Sequence, residues 1–556
     1  MRSISTLLCL GGLFIAQTAF AQAPEVSRKV AKAMKKVEPA AIKEHISYLA
    51  DDKLKGRMPG TEGYQMAVDY VIAKYKKAGV QPGGENGSYL QTVRIRKAYT
   101  GNDASLVATS KNGPMALEHG KDFAIYPSAE EQQVSVEAPL VFAGYGITAP
   151  DLNYDDYASI DAKGKIVVIL RGTPASFPGT VAAYSMDMHT ILKNAASHGA
   201  VGVIVGTTNP KAGVPNLQKG VNSIMGADGK VAVSRNFVTD QIRLLANVNA
   251  ETTLAFFKTA GLDAEKTAAS LKAGVPASAT LPVSVKASYT SSYKNIESYN
   301  VVGKIEGSDA KLKDEYVVHS AHLDHVGIGT PVNGDSIYNG AHDNASGVAS
   351  ILEIANIYSK VKAKPKRSVL LVMVTAEEMG LLGSAYFAKY PTVPKEKIVA
   401  DINTDMPTII APLLAVVPLG ANHSSLEQVV AGASRYFNLD VESDPEPEQN
   451  RFIRSDQYSF VVQGIPALHI KYGNKTADGK NNLSEYVQKW REVHYHKPQD
   501  ELNDTFDFEA GKKYVQLNFL IGYQIAQNPE RPTWKQGDFF GSRFGQPATM
   551  QQSSAK

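Results

Sequence analysis

Three short apolar runs in this chain each end on residues that bind metal ions or move protons. Tyr316 to Ser320 leads into Ala321-His322-Leu323-Asp324-His325, Ser368 to Thr375 into Ala376-Glu377-Glu378, and Ile398 to Asn403 into Thr404-Asp405. Imidazoles and carboxylates collected in this way are donors of the kind that hold a divalent metal ion. A carboxylate beside them that is not a ligand can serve as a base. A fourth group, Gly340-Ala341-His342-Asp343, precedes a helical pattern, where the helix dipole favours the Asp343 carboxylate. Late in the chain Val493-His494-Tyr495-His496-Lys497-Pro498-Gln499-Asp500 adds two histidines in an expected loop. Taken singly, each residue has an ordinary explanation. Asp343 reads as a helix N-cap, Glu377 and Glu378 as solvated charges at a helix start, His319 as a core histidine, and His325 and His342 as supporting or exposed groups. Those explanations do not account for all of them falling after successive strands.

The elements that must position these residues alternate. Strand patterns at Tyr316 to Ser320, Ser368 to Thr375 and Ile398 to Asn403 are interleaved with helical patterns at Ser346 to Tyr358 and Leu381 to Tyr390. The fold class expected is α/β, a mainly parallel sheet flanked by helices, which binds ligands beyond the carboxyl ends of its strands. Upstream, Lys29 to Gly79 has helical periodicity through Ile42, Ile46, Leu49, Val68 and Val71, broken by the polar loop Gly56-Arg57-Met58-Pro59-Gly60. From about Ala138 the pattern changes to short strands, Pro139 to Tyr145, Lys165 to Leu170 and Val201 to Val205, with a helix at Met188 to Ala196, as in a separate β-rich module. Pro276 to Ser291 is rich in Ser, Thr and Ala, and the Gly/Gln/Ser-rich stretch Phe539 to Lys556 reads as a frayed end.

With 43% hydrophobic and 20% charged residues over 556 positions, the chain can bury a large core in more than one domain. A formal net charge of +3, with no basic run interleaved with aromatics, argues against nucleic acid as a partner. At the N-terminus Arg2, an apolar stretch from about Leu7 to Ala16 and Ala19-Phe20-Ala21 have the form of an export signal cleaved near Ala21. Cleavage there removes Cys9, the one cysteine of the sequence, which excludes a cysteine nucleophile in the mature chain. Cys9 lies inside the apolar stretch, and a lipid-attachment cysteine belongs at its end. The expected location is outside the cytoplasm, periplasmic or secreted, with no second stretch long enough to span a membrane.

Five motifs occur in order: Ala-His-Leu-Asp-His, Asn-Gly-Ala-His-Asp-Asn-Ala-Ser-Gly, Thr-Ala-Glu-Glu-Met-Gly-Leu-Leu-Gly-Ser, Ile-Asn-Thr-Asp and Tyr-His-Lys-Pro-Gln-Asp. Together they resemble the zinc-dependent aminopeptidase family that includes aminopeptidase Y, glutamate carboxypeptidase and the transferrin-receptor ectodomain. The resemblance runs from about Lys29 to Gln527. The β-rich module, with Phe142-Ala143-Gly144-Tyr145-Gly146 and Gly164-Lys165-Ile166-Val167-Val168, is similar to the protease-associated domain inserted in many members. The organisation expected is a signal at 1–21, the first part of the peptidase domain at 22–134, the insert at 135–287, the catalytic part at 288–530 and a tail at 531–556.

The resemblance implies two zinc ions per chain, with manganese or cobalt as alternatives for a carboxylate-rich site. It makes Asp343 the carboxylate that bridges them, His322 and Asp405 ligands of one ion, and Glu378 and His496 ligands of the other. His496 is preferred to His494 because the family pattern places an acidic residue four positions later, here Asp500. Glu377 becomes the general base, Asp324 the acceptor for the second imidazole N–H of His322, Tyr495 a donor to an oxyanion, and Arg454 a residue that orders the site around the substrate amine. One departure is His342, where the family often has an acid, and it bears on the local charge. The implied activity is that of an aminopeptidase acting on peptides with a free N-terminus. Alternatives are a carboxypeptidase or dipeptidase of the same family, a non-catalytic receptor-like protein, and glutaminyl cyclase-like chemistry, to which a complete two-ion ligand set is less suited.

Overall fold

The structure is a computed structural model that describes residues 26–115 and 117–545. The signal segment, Cys9 and residues 546–556 lie outside the described residues. Among the described residues no helix is long and apolar enough to cross a membrane.

The second half of the chain forms the α/β sheet expected. Strands Ser368–Val374, Tyr316–His322, Ile398–Asn403 and Ala467–Tyr472 lie side by side and parallel. Strand Ala415–Leu419 closes one side antiparallel to Ala467–Tyr472, and the end of strand Ala279–Ile305 runs antiparallel to Ser368–Val374 on the other. Because successive strand residues point to opposite faces, the central strands feed two cores. Val317, Val369 and Leu371 pack under helices Pro39–Leu49, Ser346–Lys360 and Phe508–Gln527. Val318, Leu370 and Val372 pack against Phe387, Phe460 and Phe540 on the reverse face. Local signals set the helix ends: Thr61 caps helix Glu62–Ala78 through the amide of Tyr64, and Gly79 closes it in the left-handed conformation.

The module is built on a second sheet, in which Gln133–Phe142, Ile166–Leu170, Gly202–Gly206 and Leu244–Val248 are parallel neighbours. Strands Ser105–Ser110 and Phe123–Ile125 also join it, so its pairing reaches upstream of residue 135. The Ser/Thr/Ala-rich stretch is part of a 27-residue strand, Ala279–Ile305, that belongs to both sheets. Its first part pairs with Ser105–Ser110 and Gln133–Phe142, and from Ser291 onward it pairs with Leu90–Thr100. A hairpin of the module, Val221–Met225 with Val231–Ser234, adds to the other side of Leu90–Thr100 and so extends the first sheet.

The expectation of a frayed end at Phe539 is corrected for the described part. Phe539–Phe544 is helical, capped by Asp538, and Phe540 is fully buried among Phe452, Tyr458 and His423. Three phenylalanines in six residues outweigh the Gly and Ser between them, since burying one such ring is worth about 1.5–3 kcal/mol.

Candidate metal centre

Strand register brings the predicted groups to one level. His322, the last residue of its strand, pairs with Val374, and Ser320 pairs with Asn403. Glu377 and Glu378 follow the first neighbour after a short turn, and Asp405 follows the second. All of them emerge at the carboxyl edge of the parallel strands.

His322 is buried, and its Nδ1 lies 3.1 Å from the main-chain oxygen of Asp324. That contact assigns the proton to Nδ1 and leaves Nε2 with its lone pair directed at the site. Nε2 stands 3.3 Å from Asp343 Oδ1 and 3.4 Å from Asp405 Oδ1. On the other side, His496 Nε2 lies 3.2 Å from Asp343 Oδ2 and 3.1 Å from Glu378 Oε2. Donors about 2.1 Å from a shared tetrahedral centre lie roughly 3.4 Å apart. The two oxygens of Asp343 thus face two separate donor groups. Nε2 of His322, Asp343 and Glu378 offer ligand atoms within 4.8 Å of one another.

Each donor is held by a neighbour. The carboxylate of Asp500 accepts the amides of His342 and Asp343, both at 2.9 Å, which fixes the backbone that carries the central carboxylate. Asp343 does not cap the following helix; Asn344 does that work by accepting from the Gly347 amide at 3.0 Å. The Asp343 side chain is thereby free to be a donor. Glu378 Oε1 is held by His325 Nδ1 at 2.8 Å, and Asp405 Oδ2 accepts from Ser455 Oγ at 2.7 Å. Asp324 differs from expectation in detail: its carboxylate sits 4.0 Å from His322 Nδ1 and instead accepts the amides of Glu377 and Glu378 at 3.1 and 3.3 Å. It therefore orients the turn that carries Glu377, and its main chain orients the imidazole. Ala376, Met406 and His496 all adopt left-handed backbone angles at or beside site residues. Such conformations are costly for residues with a Cβ and persist where the surroundings impose them.

The remaining predicted residues fall as follows. Glu377 borders the site, and its carboxylate, unlike that of Glu378, enters no ion pair among the described residues. The Tyr495 ring stacks on His496 with centroids 3.9 Å apart. His494 faces away, stacked on Trp490 and bonded to its main-chain oxygen. Arg454 is exposed and reaches the main-chain oxygen of Gln449 at 3.5 Å, while its neighbour Ser455 makes the contact with Asp405. His342 is buried against Trp490, and burial, reinforced by Lys471, pushes its imidazole down to about 3, so this departure from the family pattern adds no charge.

Sequence reading left Arg57 unassigned, and it proves central. Fully buried, it donates to the main-chain oxygens of Leu49, Leu323, Asn339 and Gly340, the last two from the segment before Asp343 and Leu323 adjoining His322. Gly56 beside it has φ +68°, and a Cβ there would lie 2.4 Å from the Tyr338 carbonyl oxygen. The only sequence signal was an arginine in a Gly/Pro-rich loop. Arg57→Met should cost about 3 kcal/mol or more, because four buried carbonyls lose their donor. A shift of the urea midpoint to lower concentration checks this; an unchanged midpoint would show that the contacts are replaceable.

The donor set lacks positive charge. Asp324, Asp343, Glu377, Glu378, Asp405 and Asp456 crowd the site, and the charges of Arg57 and Lys471 act on them. Burial works against a charged His496, yet Asp343 and Glu378 hold its imidazole up to about 10. Burial raises Glu377 well above the usual carboxylate range; His322 opposes this, and Glu378, Asp456 and Asp405 add to it. A site of this composition binds divalent cations.

Residues 300–516 match the family model described as Peptidase family M28, and residues 136–239 match the PA domain. An "Aminopeptidase" of Pseudomonas aeruginosa (strain UCBPP-PA14) is 27% identical over 357 residues, 63% of this chain and 53% of that protein. The chain therefore spans about half the length of that relative. A "probable leucine aminopeptidase 2" of Aspergillus oryzae (strain ATCC 42149 / RIB 40) is 28% identical over 214 residues, 37% of this chain and 39% of the relative. Among solved structures, the aminopeptidase from Aneurinibacillus sp. strain AM-1 is similar at 20% identity and a TM-score of 0.48, with 92% of this chain and 99% of that one covered. The match to peptidase family M28 thus falls on the α/β sheet that carries the donor groups, and the match to the PA domain falls on the second sheet.

Proposed function

We propose that this protein is an exported zinc aminopeptidase that binds two ions and removes N-terminal residues from peptides. The observation that carries the proposal is the division of Asp343, whose two carboxylate oxygens each face a different histidine at 3.2–3.3 Å. His322, Asp343 and Asp405 would hold one ion, and Asp343, Glu378 and His496 the other. Zinc, when bound, supplies Lewis acidity that makes water nucleophilic near neutral pH and polarises a carbonyl.

The chain's own residues do the rest. Glu377 accepts a proton on its carboxylate and returns it to the leaving amine; its raised proton affinity suits both transfers. Asp324 fixes the direction of Glu377 through the Glu377 amide. The Tyr495 hydroxyl is the donor for an oxyanion on the substrate. Glu377 and Asp405 create the negative field that receives the substrate ammonium group. The PA domain, in our reading residues 135–287, contributes none of these groups and shapes access.

The test uses a tetrapeptide. Acetylating its α-amine removes a charge and its donors, so kcat/KM should fall by about a hundredfold or more. Amidating its distant C-terminus should change little. The reverse pattern, blocked amines cleaved and amidated ends resisted, would replace this reading with the carboxypeptidase one.

A further inference from the structure

The cleft beside Asp405 carries more positive charge than its own acids neutralise. Arg451, Arg454, Lys471 and Arg491 all line it. Arg451 is occupied by Asp444 and by Glu446, the latter at 3.3 Å. The other three have no carboxylate within ion-pair distance among the described residues. Lys471 Nζ donates to the main-chain oxygens of Asp405 and Met406 at 2.7 and 3.1 Å, which leaves one of its three protons free. Arg491 lies over the Tyr495 ring, 3.7 Å from its centre, and its Nη1 is 3.4 Å from the Met406 sulfur. Both contacts hold the guanidinium in place and use little of its donor capacity. Arg454 stands at the rim.

A cleft that receives an aliphatic side chain is lined by apolar groups. Here Leu483 and Val487 supply an apolar wall, but Arg454, Arg491 and Lys471 share the concavity, the first two with no ion-pair partner among the described residues and Lys471 with the Asp405 carboxylate acting on it only from beyond ion-pair distance. Like charges that share a concavity repel, and an anion between them removes the penalty; guanidinium groups match a carboxylate in particular, through paired N–H bonds. The cleft also opens between Asp405, a donor of the centre, and Tyr495, the residue stacked on another. A group seated there therefore lies next to the donors of the centre.

We infer that this cleft binds a substrate carboxylate, either the side chain of an N-terminal Asp or Glu or the terminal carboxylate of a dipeptide. The inference rests on the peptidase reading above. It is tested on the full, metal-loaded chain with two matched pairs: glutamyl- against glutaminyl-p-nitroanilide, and Leu-Gly against Leu-Gly-amide. At least one pair should show a kcat/KM preference of about tenfold or more for the carboxylate, and the pair that does identifies its source. Arg491→Met should bring that ratio close to one, Arg491→Lys should restore part of it, and added salt should lower it in the wild type. Cleavage with no preference in either pair, or a preference that survives both Arg491→Met and Lys471→Met, overturns the inference and leaves the peptidase reading intact. If neither these substrates nor leucyl-p-nitroanilide is hydrolysed, the peptidase reading fails and the inference falls with it.

Discussion

Glu377→Gln should lower kcat by about a thousandfold or more, with the metal content unchanged. The amide keeps the size of the side chain but can neither take a proton nor return one. Metal retention is expected because the ion pairs at the centre run through Glu378, His322, His496, Asp343 and Asp405, and none involves Glu377. The Asp324 bonds to the amides of residues 377 and 378 are main-chain contacts and survive the change. Steady-state rates and elemental analysis of one preparation decide the matter. A variant that turns over at a near-wild-type rate would remove Glu377 as the base, and one that had lost metal would make it a ligand.

Asp343→Ala should have the opposite signature, with bound metal falling below one ion per chain and activity falling with it. Each oxygen of Asp343 serves a different donor group, so truncation strips a ligand from both at once. Truncating Glu378 or Asp405 would strip a ligand from only one. The fold should persist, since the backbone at residue 343 is held by Asp500 and by Arg57 through residues 339 and 340. Metal stoichiometry after dialysis, with circular dichroism as the check on folding, reads the result. An Asp343→Ala protein that keeps two ions would refute the bridging role.

The site was legible where chemistry and register coincide. Acids and imidazoles after strand ends carry a signal in both residue type and position, and the order of five motifs separated His496 from His494, which the structure places stacked on Trp490. What sequence did not reveal were residues that act through main-chain atoms. Arg57 touches only carbonyl oxygens, and a carbonyl has no residue type to recognise. Ser455 holds Asp405 through a hydroxyl common to any loop, and beside it Arg454 attracted attention by its charge. In the fold, the parallel strands were read within a few residues because they are buried on both faces and rich in Val, Ile and Leu. The stretch from Pro276 was described only by its composition, in which Ser, Thr and Ala dominate. Its period-two pattern of Leu281, Val283, Val285, Ala287 and Tyr289, every one buried, was the better guide.

The strand shared by the two sheets decides how the PA domain can move. Domains that close over a substrate usually swing on a few unpaired linker residues whose dihedral angles absorb the motion. Strand Ala279–Ile305 has no such residues where it passes between the sheets: Thr290 pairs with Gln133 and Ser291 with Thr100. The Val221–Ser234 hairpin forms a second, parallel strut, and Lys389 Nζ anchors to the Ala232 carbonyl oxygen at 2.9 Å on the helix that follows the Glu377 turn. Twisting the insert as a body would shear two hydrogen-bonded ladders at once. The two sheets are therefore tied into one frame through two ladders, and the insert has no unpaired hinge along this strand.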